Sequence, residues 1–255
     1  MTAPASPLPD PWAELARHTP ARIALGRSGV ALPTAAVLSF AAAHAQARDA
    51  VHVALDGAAL RQALIDEGWD SIRVTSRAAS RPEYLRRPDL GRRLADADAL
   101  RLQALAAAPV DLAVVLADGL SAIAVQNHGL PLLRELRQAL GGALSWAPVV
   151  IATQARVALA DEIGALLQAR MSLILVGERP GLSSPDSLGA YLTFAPAVGR
   201  LDAQRNCVSN IRPAGLAMDR AAGRIAWLLR EALRRRLSGV ALKDESEIEL
   251  LAPPG

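Results

Sequence analysis

The sequence predicts an α/β fold: a Rossmann-like parallel sheet flanked by helices, preceded by a helical N-terminal region. Three observations carry this expectation. The second half repeats a unit made of an apolar run, a polar loop and a helical pattern. The runs are continuously apolar, as strands covered on both faces of a parallel sheet must be. The first half instead shows Ala-rich helical periodicity and helix-start signals.

Residues 1–11 read as a disordered, Pro-rich leader, and 12–69 as the helical region. Asp10-Pro11 supplies a cap and a proline for the first turn of a short helix from Trp12 to His18. Pro33-Thr34 opens a long helix to about Val53, with Val37, Phe40, Ala41, His44 and Val51 near one face. A second helix is expected from Gly57 to Glu67 and a short strand from Asp70 to Thr75. Ser80 to Arg93 is dense in Arg and holds two prolines, so it reads as an ordered connection without regular structure. The repeated units follow. Val110 to Ala117 leads through Asp118-Gly119-Leu120-Ser121 to a helix ending near Leu140. Pro148 to Thr153 leads through Gln154-Ala155-Arg156 to a helix ending near Ala169. Met171 to Val176 leads into Gly177-Glu178-Arg179-Pro180-Gly181. The Rossmann-like domain is expected over 70–245, with 246–255 as a tail.

Composition excludes several classes. Apolar residues make up 51% of the chain and aromatics 3%, so the core is aliphatic. No apolar run reaches the roughly 18 residues a membrane span needs, and the start lacks the basic leader and apolar stretch of a signal peptide. The cytoplasm is the expected compartment. A single cysteine, Cys207, rules out an internal disulfide and a Cys-based metal cluster. The net charge of +3 comes from arginines spread along the chain, with Lys243 the only lysine. They are not interleaved with aromatics that could stack on bases, so no nucleic-acid partner is expected.

In an open parallel sheet the ligand lies beyond the carboxyl ends of the strands. Those ends carry Asp118, Arg156 and Glu178. Each has a plainer alternative: a helix cap for Asp118, a solvated charge for Arg156, an ion pair for Glu178. Arg156 also precedes a helix N-terminus, which favours an anion. There is no Gly-x-Gly-x-x-Gly, no P-loop and no His-Glu-x-x-His, and no nucleophile elbow surrounds Ser183 or Ser184. Of four histidines, only His44 and His52 share a helix, two turns apart, which is not the spacing of a metal pair. No catalytic residue and no metal ligand is assigned. The residues alone reach a ligand-binding α/β domain without self-contained catalytic machinery.

Two segments narrow this further. Gly177-Glu-Arg-Pro-Gly-Leu-Ser-Ser-Pro-Asp-Ser-Leu-Gly-Ala-Tyr-Leu-Thr193 and Arg205-Asn-Cys-Val-Ser-Asn-Ile-Arg-Pro213 resemble the small (light) subunit of ethanolamine ammonia-lyase. So do Ala21 to Gly29, Pro33-Thr34, His44 to Ala50, Tyr84 to Gly91, Ala117 to Ser121, Arg156 to Gly164 and Ser238 to Asp244. The resemblance covers about residues 14 to 245. It implies an adenosylcobalamin-dependent lyase that converts ethanolamine to acetaldehyde and ammonia by radical chemistry. It implies a large-subunit partner that binds most of the ethanolamine site, a cofactor enclosed between the two chains, and no activity of this chain alone. Such an enzyme works in the cytoplasm, free or inside a bacterial microcompartment. Matched position by position, the small subunit's cofactor contacts land on Val157, Glu178 and Cys207. By itself a lone cysteine is more often a small buried hydrophobe; the motif match favours a contact. Peripheral cobalamin amides would donate to Glu178, and Arg156 and Arg179 would face the nucleotide-tail phosphate. The chain lacks the Asp-x-His-x-x-Gly motif by which some cobalamin enzymes ligate cobalt, so the cofactor is expected to keep its own base. The competing reading is a free-standing cobalamin- or nucleotide-binding module without lyase activity.

Overall fold

The computed structural model describes residues 12–19, 21–106 and 108–246. The expected leader, the Asp10-Pro11 helix start and all of the tail after Ser246 lie outside them. In chain order the elements are α1 (Thr34–His52), α2 (Gly57–Asp66), β1 (Ser71–Thr75), α3 (Arg81–Arg86), α4 (Asp96–Leu105), β2 (Val110–Ala117) and α5 (Ala122–Leu140). Then come β3 (Val149–Thr153), α6 (Leu159–Leu166), β4 (Ala169–Gly177), β5 (Leu188–Phe194), β6 (Arg205–Ile211) and α7 (Met218–Arg235).

The six strands form one sheet in the order β1-β3-β2-β4-β5-β6. The first four in that order are parallel. The last two are not: β5 runs antiparallel to β4, and β6 antiparallel to β5. The expected all-parallel, Rossmann-like sheet is therefore corrected to a mixed sheet. The reason is local to the chain after β4, which returns through a loop and pairs as a hairpin instead of crossing over by a helix.

Alternation along the parallel strands assigns the two layers. On β2, Leu112, Val114 and Leu116 pack with α2, α5 and α7, while Ala113, Val115 and Ala117 face the layer of α4 and α6. On β4, Met171, Leu173 and Leu175 go to the first layer, and Ile174 and Val176 to the second. The larger layer buries Leu132, Leu133 and Leu136 of α5 against Ile225, Leu228 and Leu229 of α7. Each such side chain contributes about 1.5–3 kcal/mol of burial. Asp56 caps α2 through the Ala58 and Ala59 N–H groups, and Gly141 closes α5 in the left-handed conformation.

Other expectations are also corrected. Ser80 to Arg93 contains α3 and a 3₁₀ turn, Leu90–Arg92, because Ser80 caps the helix and Pro82 sits in its first turn, where a proline is tolerated. The helix after β3 ends at Leu166, and Ala169 already belongs to β4. Only Leu15–His18 of the short N-terminal helix is helical, as a 3₁₀ turn. Of the face proposed for α1, Val37, Phe40, Ala41 and His44 are exposed, and Ala50 is the one buried residue of the helix. No helix among the described residues is long and apolar enough to cross a membrane.

Candidate functional site

Strand β2 is the pivot of the topology. Leaving it, the chain crosses by α5 to β3 on one side; leaving β3, it returns by α6 on the opposite face to β4 on the other side. The connections therefore diverge at the carboxyl ends of β2 and β4, and a crevice opens there. Its floor is formed by Gly119 and Gly177. A Cβ on Gly119 would fall 2.2 Å from the Gly177 carbonyl oxygen, and one on Gly177 would fall 1.9 Å from the Ser121 oxygen. Gly119 also has φ of 54°, and the Leu120 N–H donates to the Gly177 oxygen at 2.9 Å. Two strand ends can meet this closely only where neither carries a side chain.

The resulting cleft has a volume of about 400 Å³ and opens to solvent. Val157, Glu178, Arg156, Arg179, Tyr84 and Tyr191 line it. Glu178 continues directly from β4. Its Oε2 accepts from Ser187 Oγ at 2.5 Å and from the Asn210 N–H at 3.2 Å. Among the described residues Oε1 has no partner. Gly189 on β5 leaves room for the carboxylate, because a Cβ there would stand 2.9 Å from Oε1. Cys207 does not line the cleft. It lies exposed on β6, opposite Tyr191 of β5, which does. Loss of water around it pushes the Cys207 thiol above its usual range, and the nearby Glu178 charge adds to this. Burial likewise raises the Tyr191 phenol.

Behind the cleft, Asp118 is buried and accepts from the Gln154 N–H at 2.8 Å and the Ala155 N–H at 3.0 Å. It neither caps α5 nor lines the cleft. It braces the β3–α6 loop to the end of β2, where Gln154 adopts a φ of 55°. Burial raises its pKa, opposed by those two N–H groups and by Arg81, whose Nη1 is 3.6 Å away. Tyr84 of α3, fully buried, lies between two guanidinium groups, Arg81 at 4.8 Å and Arg156 at 4.2 Å from its ring centre. Its hydroxyl donates to the Ala155 oxygen at 3.1 Å, and burial lifts its pKa to about 12. Arg156 donates one Nη to the Tyr84 oxygen, while its buried Nε has no partner among the described residues. The solvated-charge alternative for Arg156 is thereby replaced by a stacked, half-buried arginine at the cleft.

The structure thus brings Val157, Glu178, Arg156 and Arg179 to one cleft and sets Cys207 beside it. Sequence reasoning missed Tyr84 and Tyr191 as lining residues. For Tyr84 a signal existed, since Ser80-Arg-Pro-Glu83 is a capped helix start. His44 and His52 are exposed on α1. His128 is buried on α5 and pairs with Asp186 Oδ2 at 3.0 Å, holding the loop after Glu178 onto the helix. Ser183 and Ser184 sit in that same loop, where Ser183 offers its carbonyl oxygen to Arg212. A second hollow, about 550 Å³, lies at the ends of β1 and β3, but its charged rim residues, Arg77 and Asp96, satisfy each other at 2.9 Å.

Comparison with known proteins identifies the family. Residues 9–243 match the family model for the ethanolamine ammonia-lyase light chain (EutC). The ethanolamine ammonia-lyase small subunit of Pseudomonas aeruginosa (strain LESB58) is 58% identical over 246 residues, covering 95% of this chain and 90% of that protein. That of Azotobacter vinelandii (strain DJ / ATCC BAA-1303) is 58% identical over 250 residues, 96% of this chain and 93% of the relative. That of Pseudomonas putida (strain GB-1) is 57% identical over 255 residues, 98% and 94% respectively. A match that spans the strand ends, the cleft and the helices around them leaves one assignment: this chain belongs to the ethanolamine ammonia-lyase small-subunit (light-chain) family.

Proposed function

We propose that this chain is the cofactor-holding small subunit of an adenosylcobalamin-dependent ethanolamine ammonia-lyase. The carrying observation is the open cleft at the divergence of β2 and β4, where Glu178 presents a carboxylate oxygen with no partner among the described residues. A cleft of about 400 Å³ can cradle one edge of a corrinoid but cannot enclose it. The rest must be covered by another chain, which on this reading is the large subunit carrying the ethanolamine site.

Within that cleft each residue has a distinct task. Glu178, an acceptor-only group when ionised, takes hydrogen bonds from the cofactor's peripheral amides. Its Oε2 is held by Ser187 and Asn210, so Oε1 is oriented before the cofactor arrives. Val157 gives apolar contact from the start of the α6 turn, and Cys207 does so from β6. Arg156, stacked on Tyr84 with Nε unpartnered, and Arg179 supply positive charge for the nucleotide-tail phosphate. Adenosylcobalamin held there would supply the radical chemistry, and this chain would bind and orient it. No residue of this chain ligates cobalt on this reading, and the lining contains no histidine. The helical region 12–69 and the cofactor-binding region 70–245 form the working units, and the enzyme acts in the cytoplasm, free or within a bacterial microcompartment.

The test is reconstitution. Co-expressed with the large chain and given adenosylcobalamin, the protein releases acetaldehyde and ammonia from ethanolamine. Purified alone with cofactor and ethanolamine it releases neither, because its cleft offers no nucleophile–base pair. Steady turnover by the isolated chain would overturn the two-chain reading. A carrier without lyase activity would instead bind cobalamin and gain nothing from the large chain.

A further inference from the structure

Helix α1 is a structural anomaly. It runs for 19 residues and buries one, Ala50 near its end. In proteins a helix owes most of its stability to packing of an apolar face, so this one needs a surface to lie on. Ahead of it and along its first turns, Val30, Leu32, Val37, Leu38 and Phe40 are exposed by 107, 52, 48, 64 and 48%. Of the sixteen exposed large apolar residues among the described residues, ten fall within residues 12–53. From Ser28 to Ala47 the sequence holds no Asp, Glu, Lys or Arg.

Two anchors tie this segment to the rims of the cleft. Arg81 donates through Nε to the Val51 oxygen at 2.7 Å and through Nη1 to the Gly119 oxygen at 2.8 Å. Arg22 donates to the Leu182 oxygen at 3.1 Å, in the loop after Glu178, and its guanidinium lies 5.9 Å from the centre of the Phe40 ring. Whatever closes the cleft therefore meets α1 as well. The breadth of the apolar surface identifies its occupant. Val37, Leu38 and Phe40 spread over about 160° of the helix at 100° per residue, and Val30 and Leu32 extend that surface beyond the helix. A single helix of a second copy would cover one stripe of it. Alanines fill most of the remaining girth from Thr34 to Ala47 and no charged face is left, and such a helix belongs inside a larger protein.

We propose that the segment Val30–Phe40 inserts into an uncharged, apolar groove on the large subunit and is the main docking element of the small subunit, beside the shared cleft. This rests on the two-chain function above. The absence of charge makes it a permanent contact, since obligate interfaces are the more hydrophobic ones.

The test uses the full chain with Val37→Asp and Phe40→Asp together. Both positions are solvent-exposed, so the isolated variant keeps the wild-type circular dichroism and melting temperature. Its affinity for the large subunit, titrated by analytical ultracentrifugation, is expected to fall by about a hundredfold or more. Independently, amide hydrogen exchange of Thr34–Ala47 in the wild-type chain should slow on addition of the large subunit. Unchanged affinity in the variant, or unchanged exchange in a formed wild-type complex, overturns the docking role while leaving the two-chain function standing. If the wild-type chain does not associate with the large subunit at all, both fall. If it instead forms a dimer that the variant abolishes, the face belongs to a second copy and the inference is wrong.

Discussion

Gly119 and Gly177 are in mutual contact at the ends of β2 and β4, with the Gly177 oxygen 2.2 Å from where a Gly119 Cβ would stand. The cleft floor is therefore backbone, and its depth depends on two hydrogen atoms in place of side chains. Gly119→Ala is expected to destabilise the chain by about 1–3 kcal/mol or more, as overpacking does, and to weaken cofactor binding in the assembled enzyme. Gly141→Ala is the control: its φ of 59° is similar, but nothing lies within 4 Å of the added Cβ. It should cost only the left-handed backbone strain, about 1 kcal/mol, with cofactor affinity intact. Thermal melts of both variants and cofactor titration of their complexes read the difference. Equal loss of affinity in the two would remove the steric argument.

Glu178→Ala in the two-chain enzyme is expected to weaken adenosylcobalamin binding about ten- to a hundredfold, the loss of a charge-assisted bond worth about 1.5–3 kcal/mol. The ethanolamine response, measured at saturating cofactor, should not change. Glu178→Gln should lose less, because one carbonyl acceptor survives. Separate titrations of cofactor and substrate decide it, and an unchanged cofactor constant would reduce Glu178 to a brace for Ser187 and Asn210.

Tyr84→Phe removes the hydroxyl that donates to the Ala155 oxygen and should cost about 1 kcal/mol. Tyr84→Ala removes the ring between Arg81 and Arg156 and should cost about 3–5 kcal/mol. Urea unfolding of the isolated chain measures both. Were the two substitutions equally costly, the ring would not be what orders the arginines.

Cys207 is exposed, yet its thiol is pushed above its ordinary range. A raised pKa leaves the group protonated and poorly nucleophilic at neutral pH, and reactivity returns only as pH rises through the raised value. Alkylation by iodoacetamide should therefore lag behind that of a free cysteine at pH 8 and approach it at higher pH. In the assembled enzyme, adenosylcobalamin should slow it further at every pH. A rate indifferent to the cofactor would place Cys207 outside the contact.

Part of this architecture was written locally. Val110 to Ala117, Pro148 to Thr153 and Met171 to Val176 could be read as strands because they are short, mostly β-branched and aliphatic runs bounded by polar loops, as strands covered on both faces of a sheet are. The starts of α1, at Pro33-Thr34, and of α2, at Gly57, were legible. The strand-end positions of Val157 and Glu178 followed from the same runs. The helix α7 carried an equally clear signal, Ala221, Ala222, Ile225, Leu228, Leu229 and Ala232 on one face, and went unread.

What the tertiary structure decided is where pairing is non-local. Strand β6 reads Arg-Asn-Cys-Val-Ser-Asn-Ile, too polar to be recognised as a strand, and it exists because β5 offers it a free edge. The antiparallel direction of β5 and β6 is likewise absent from their composition, since the same alternation suits either direction. Cys207 comes to lie beside the cleft only through that pairing with Tyr191. The closeness of Gly119 to Gly177, and the burial of Tyr84 between Arg81 and Arg156, join segments far apart in the chain. Helix α1 shows the converse. Its periodicity predicts the helix, but whether a face of it is buried depends on what packs against it, and among the described residues little does.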